Sequence, residues 1–155
     1  MARTTREDLA LKLTVVLGKA QRAVEGRAAA HAASHGLTMA EFAVLEALFH
    51  KGDLLLGDLQ RKILVSTGGI TYLIDRLERR GLVRRLECRT DRRARYASLT
   101  REGSELIEQI FPEHTEWLER AVAGLTQAEQ RTTIDLLRKL GQHAETLEEA
   151  GAEVP

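Results

Sequence analysis

The chain has 155 residues, 43% hydrophobic and 30% charged, with one cysteine and a formal net charge of zero. That length suits one compact domain or a small module with extensions, and the composition is too apolar for intrinsic disorder. No apolar run approaches the ~18 residues that span a bilayer and no signal-like stretch follows Met1, so a cytoplasmic protein without a membrane partner is expected. A single cysteine, Cys88, excludes an internal disulfide and any CxxC zinc site.

The zero sum hides an uneven distribution. Residues 58–101 hold 12 basic and 5 acidic side chains, whereas residues 102–155 hold 4 and 12. A basic island beside an acidic segment predicts a localised footprint for phosphate.

In chain order, Leu9, Leu13, Val16, Leu17, Ala20, Val24 and Ala28 return at three- and four-residue steps, predicting one helix from Thr5 to about Ser34, stopped by Gly36. Thr38 and Glu41 form a capping box, with Leu37 as a staple on Phe42, which opens a second helix over 39–50 with Phe42, Leu45 and Phe49 inward and Gly52 past its end. A third helix over about 56–64 buries Leu59 and Ile63. Its start lacks Ser or Thr, so Asp53 is the substitute cap. Ser66 caps a fourth helix, whose Ile70, Leu73, Ile74 and Leu77 make a core stripe ending at Gly81. Helices three and four thus form a helix-turn-helix.

The period then changes to 2. Leu82–Cys88 and Ala94–Leu99 read as strands around the polar turn 89–93, which is a wing. Thr100 caps a fifth helix with Leu106, Ile110, Trp117, Leu118 and Ala121 inward, Pro112 predicting a kink or break, and Gly124 closing it. Thr126 and Glu129 box the start of a sixth, with Ile134, Leu137, Leu140, Ala144 and Leu147 on one side, before a frayed tail over 149–155. The expected fold is mostly α: a winged helix-turn-helix of about six helices and a two- to three-stranded antiparallel wing.

With Ile70 inward, Gly68, Thr71, Tyr72, Asp75, Arg76 and Arg79 fall on the outward half of the fourth helix. Arg76 and Arg79 have the fork for a guanine edge, Thr71 and Tyr72 can touch thymine methyls or phosphates, and Asp75 can accept from cytosine or orient Arg76. Ser66, Thr67, Gly68 and Gly69 sit at the positive helix start, where bare backbone meets phosphate. The competing reading is a solvated face with ion pairs such as Asp75 to Arg79. Arg89, Arg92, Arg93 and Arg95 crowd the hairpin, and a narrow minor groove is the natural partner for such a cluster, with Asp91 bracing the loop.

The stretch from Ser66 to Arg85, followed by Asp91-Arg92-Arg93 and Leu99-Thr100-Arg101-Glu102-Gly103, resembles the MarR family of winged helix-turn-helix transcription regulators. The resemblance covers residues 5 to about 148. It implies a homodimer bound to double-stranded DNA at a pseudopalindromic operator, usually as a repressor, and released by a small aromatic or phenolic effector or by cysteine oxidation. Arg93 would be the wing tip, with Arg92 the other candidate. Residues 1–36 and 101–148 would form the helical dimerisation region, which agrees with more apolar stripe than a winged-helix core can cover, and 37–100 the DNA-binding domain. The family's pocket lies between the dimer helices and the DNA-binding lobe, which points by location to Arg27, His31, Phe49 and Trp117. The run Cys88–Arg93 is similar to that of a quinone-responsive branch, so Cys88, flanked by Arg84, Arg85 and Arg89, is a candidate sensor thiol beside the alternative of an inert strand cysteine. The departures are the missing cap before helix three and a cysteine at 88 rather than near the amino terminus.

No metal or cofactor is expected, because His31 and His35 stand at i, i+4 without a carboxylate partner nearby. An enzyme is excluded on inventory, since neither a nucleophile elbow nor a phosphate-binding loop is present. The remaining alternative is a winged-helix protein-interaction module that does not bind DNA.

Overall fold

In the computed structural model, the described residues are 5–63, 67–91 and 93–151, with side chains described up to residue 147 except that of Thr67. The order is α1 (Thr5–Ser34), α2 (Met39–Lys51), β1 (Leu54–Leu55), α3 (Leu56–Ile63), α4 (Thr67–Arg79), β2 (Val83–Glu87), β3 (Arg95–Leu99), α5 (Arg101–Val122) and α6 (Gln127–Gly151). No described helix is long and apolar enough to cross a membrane. The chain divides into two compact units, Met1–Trp117 and Leu118–Pro155.

The first unit holds the core. Gly36, at φ 72°, turns the chain out of α1, and the capping box closes as the spacing predicts: Glu41 N–H donates to Thr38 Oγ1 at 3.2 Å and Thr38 N–H to Glu41 Oε2 at 2.8 Å. Phe42, Val44, Leu45 and Leu48 of α2 meet Leu59 of α3 and Ile70, Leu73, Ile74 and Leu77 of α4. Here the phase of α2 departs from expectation. Leu48 is buried and Phe49 is 36% exposed, because Val44 and Leu48 share the buried face that the aromatic was expected to take. Ile63 is half-buried rather than buried.

A two-residue strand, β1, precedes α3 and pairs Leu54 with Ala97, making an antiparallel sheet of order β1-β3-β2 with Val83 opposite Leu99 and Glu87 opposite Arg95. That strand separates Asp53 from the first turn of α3, so Asp53 is not its cap. The expected cap of α4, Ser66, lies outside the described residues.

Thr100 caps α5, its Oγ1 accepting from Gly103 N–H at 3.0 Å and donating to the Gly81 carbonyl at 2.6 Å. Gly103 is buried where any Cβ would stand 2.0 Å from the Leu82 carbonyl oxygen, so glycine is what lets α5 start against the wing. α5 runs unbroken through Pro112, so of the expected kink or break the break does not occur; a proline removes one donor, and the flanking turns hold. Its buried residues are Gly103, Ile107, Ile110 and His114. Leu106, Trp117 and Leu118 are half-buried, and Ala121 is exposed rather than inward. Gly124 follows the end of α5 but is not among the positive-φ glycines, so backbone bonds, Leu125 N–H to Val122 O at 3.0 Å among them, close the turn.

In the second unit the Thr126–Glu129 capping box forms, with Thr126 N–H donating to Glu129 Oε2 at 2.7 Å. α6 continues to Gly151, past the expected start of fraying.

Candidate nucleic-acid interface

Four apolar residues of α4 are buried, which turns Gly68, Thr71, Tyr72 and Arg79 outward as exposed residues, with Gly69, Asp75 and Arg76 half-buried beside them. The side chain of Thr67 and all of Ser66 and Arg92 lie outside the described residues.

Two ion-pair systems lock this helix against its neighbours. The first is centred on Glu41, which is fully buried: Arg76 Nε lies 3.0 Å from its Oε1 and Arg80 NH1 lies 3.7 Å from its Oε2. The Arg76 approach is Coulombic rather than a well-aligned hydrogen bond, since Oε1 has no hydrogen-bond partner of good geometry among the described residues. Arg76 also reaches Tyr72, with NH1 3.4 Å from the phenol oxygen and Cζ 5.7 Å from the ring centre. Arg80 donates to the Gly36 carbonyl at 2.8 Å.

In the second, Arg85 of β2 pairs with Asp75 at 2.7 Å and with Glu78, while its backbone N–H donates to Glu78 Oε1 at 2.9 Å. Asp75 is therefore held by Arg85 instead of orienting Arg76, and the partner that orients Arg76 is Glu41. Nor do the Asp75 and Arg79 side chains pair with each other; Arg79 Nε donates to the Asp75 carbonyl at 3.2 Å.

On the wing, Asp91 braces the turn as expected, its Oδ1 accepting from Arg93 N–H at 2.8 Å. Arg89 and Arg93 are exposed, and no carboxylate pairs with either among the described residues. Arg95 is more tethered, 3.7 Å from Glu87 and donating to the Ala94 carbonyl at 3.1 Å.

Cys88 is half-buried at the end of β2, 3.2 Å from the Thr90 hydroxyl. Hydrogen bonds from that hydroxyl, then from the backbone N–H groups of Thr90 and Asp91, pull the thiol below its ordinary pKa. The flanking arginines, expected to do this, are not its cause. Alkylation by iodoacetamide should thus follow a pH profile with a midpoint lower in the native protein than in the urea-unfolded chain. Thr90→Val should raise the native midpoint; identical native and unfolded midpoints would refute the assignment.

The residues placed by location in an effector pocket are distributed over α1, α2 and α5. Arg27 is exposed on α1, Phe49 stacks edge-on to His50 with ring centres 5.2 Å apart, Trp117 is half-buried, and His31 binds Glu113. A groove of about 630 Å³ is lined by Ala43, Glu46, Ala47, His50, Lys51, Lys62 and Ile63.

His31 and His35 do have a carboxylate, supplied by α5. Their Nε2 atoms lie 3.3 and 3.4 Å from the same oxygen, Oε2 of Glu113. Contacts from His31, then His35, hold Glu113 below the usual carboxylate pKa. His114 packs its ring 4.5 Å from that of Phe42, and burial lowers its pKa.

Residues 37–94 match the model of the MarR family. The chain is 38% identical over 137 residues to the HTH-type transcriptional regulator MhqR of Bacillus subtilis (strain 168), covering 88% of this chain and 94% of that one. Sco3205, a MarR family regulator from Streptomyces coelicolor solved in complex with DNA, superposes with a TM-score of 0.80 at 23% identity, covering 92% of this chain and 90% of that one. NadR in complex with 4-hydroxyphenylacetate gives a TM-score of 0.72 at 26% identity, covering 83% and 91%. With the winged helix-turn-helix in place and this relationship spanning nearly its whole length, the chain belongs to the MarR family of DNA-binding transcriptional regulators, which are not enzymes.

Proposed function

We propose that the protein acts as a homodimeric repressor that holds a pseudopalindromic operator and lets it go when a small hydroxylated aromatic acid binds. The observation that carries this reading is the outward set Gly68, Thr71, Tyr72 and Arg79 on a helix anchored by Glu41 and Arg85, beside a wing presenting Arg89 and Arg93. A rigid, cationic, two-part surface of this kind fits a major groove and the adjacent minor groove.

Support for a dimer is the apolar surface left uncovered in the single chain. Leu9, Leu13 and Val16 of α1 are 64%, 52% and 54% exposed, and Ile134, Leu137 and Leu147 of α6 are 52%, 44% and 62% exposed. Burying such stripes against a second copy removes them from water, and two-fold symmetry then sets two recognition helices about one turn of DNA, ~34 Å, apart. For the effector, the 630 Å³ groove lies in the size range of small-ligand sites, and Lys51 and Lys62 can meet a carboxylate. The 4-hydroxyphenylacetate bound by NadR is of that chemical class.

The test is selection of DNA from a random pool by the full-length protein, followed by footprinting and a salt titration. The expected result is an inverted repeat with half-site centres about one helical turn apart, and log affinity falling steeply with log salt. Failure to enrich any sequence at any salt would favour the protein-interaction module instead.

A further inference from the structure

The cluster that joins α1 to α5 is unused by the DNA-reading surface. His31 lies in the last turn of α1 and His35 in the turn that ends it, so both imidazoles face one side a helical turn apart. Glu113, 82 residues away from His31 in the chain, projects from α5 onto that side. The two histidines are about one-fifth exposed and Glu113 is 63% exposed, so the group is open to solvent and accessible to an ion. Nδ1 of His31 is buried without a hydrogen-bond partner among the described residues, which leaves Nε2 as the working atom of that ring.

We propose that His31 Nε2, His35 Nε2 and a Glu113 carboxylate oxygen form a three-ligand site for a divalent transition-metal ion of the zinc class, with a fourth position open to water or another donor. The distances carry the argument. Ion-paired N–H···O contacts normally sit at about 2.7–2.9 Å, and both contacts here are longer. They match instead the edge of a tetrahedron, because bonds of about 2.0–2.1 Å to nitrogen and oxygen set neighbouring ligands about 3.3 Å apart. The three ligand atoms all lie within 4.8 Å of one another, so completing the third edge asks for a side-chain adjustment of at most ~1.5 Å.

The donor set chooses the ion. Two imidazoles and one carboxylate suit zinc, cobalt or nickel, whereas calcium and magnesium demand all-oxygen shells. Three protein ligands with an open position distinguish this from a closed structural site. A bound ion would add to the links between the end of α1 and the middle of α5, which are now the shared Glu113 carboxylate and a ring contact of His31 with His114 at 5.9 Å.

The test uses full-length protein stripped with a chelator and desalted, titrated with Co²⁺ as a spectroscopic probe and with Zn²⁺ in competition. Wild type is expected to bind one Co²⁺ per chain with the visible bands of a four-coordinate site, bleached by Zn²⁺. Saturating Zn²⁺, at a hundredfold excess over Kd, should raise Tm by about 5 °C or more. Glu113→Gln and His35→Ala, both at accessible positions, should weaken binding 100-fold or more, since even outer-shell partners are worth about 10- to 100-fold. Cys88→Ser should bind as wild type does. Retention of the bands in Glu113→Gln, their loss in Cys88→Ser, or no Zn²⁺-dependent rise in Tm would overturn the site. None of these readouts involves DNA, so the outcome is separate from that of operator selection.

Discussion

Replacing Arg93 with alanine is expected to lower operator affinity on the order of 100-fold while leaving thermal unfolding unchanged. The Asp91 carboxylate pins the backbone of the turn through Arg93 N–H at 2.8 Å, and the Arg93 guanidinium projects from it without a carboxylate partner among the described residues. In the single chain Arg93 is exposed, so its charge is open to water. Placed in a narrow minor groove, it meets concentrated negative potential that water no longer screens, and the whole of that interaction is lost on truncation. Arg95→Ala should cost less, because Glu87 and the Ala94 carbonyl already occupy its head group. Anisotropy titrations across a salt series check this. The Arg93→Ala slope of log affinity against log salt should fall by about one, and equal affinities for wild type and variant would remove the wing from the interface.

The same titrations separate two arginines that look alike in the sequence. Arg79 is exposed and among the described residues makes only a backbone contact through Nε, so Arg79→Ala should relax preference at one base position. Arg76 is committed to Glu41 and Tyr72, so its loss should weaken all sequences together by releasing the helix.

What the sequence made legible was local. The stripe Ile70, Leu73, Ile74, Leu77 shows the buried face of α4 through its period alone, and both threonine capping boxes close within four residues. Competing apolar neighbours blurred the phase elsewhere. Phe49 and Leu48 are adjacent, and only packing in the common core decides that the leucine goes in. β1 is two residues long, too short to carry an alternation. The long-range partners were invisible: the second role of Glu41 depends on Arg76 and Arg80, and the carboxylate for His31 comes from α5. For Cys88, counting nearby arginines gave the right direction for the thiol but the wrong cause, because hydrogen bonds at the strand end set it and Arg85 is paired with Asp75 and Glu78.

Glu41 is where sequence-local and long-range roles meet, and its removal should have the largest effect on stability. Glu41→Ala is expected to lower the free energy of unfolding by about 3 kcal/mol. Loss of the reciprocal cap accounts for about 1 kcal/mol. The rest comes from a vacated, fully buried position and from two guanidiniums left without their shared anion, discounted because both are about one-third exposed and can rehydrate. Glu41→Gln isolates the charge. Glutamine fills the same volume and serves equally at the third position of a capping box, so it keeps the cap and loses only the ion pairs, at about 1 kcal/mol. Urea unfolding of the three proteins at pH 7 measures the difference. Equal losses in both variants would place the whole effect in the charge, whereas a Glu41→Ala protein as stable as wild type would show that Arg76 and Arg80 hold α4 without any buried anion beneath them.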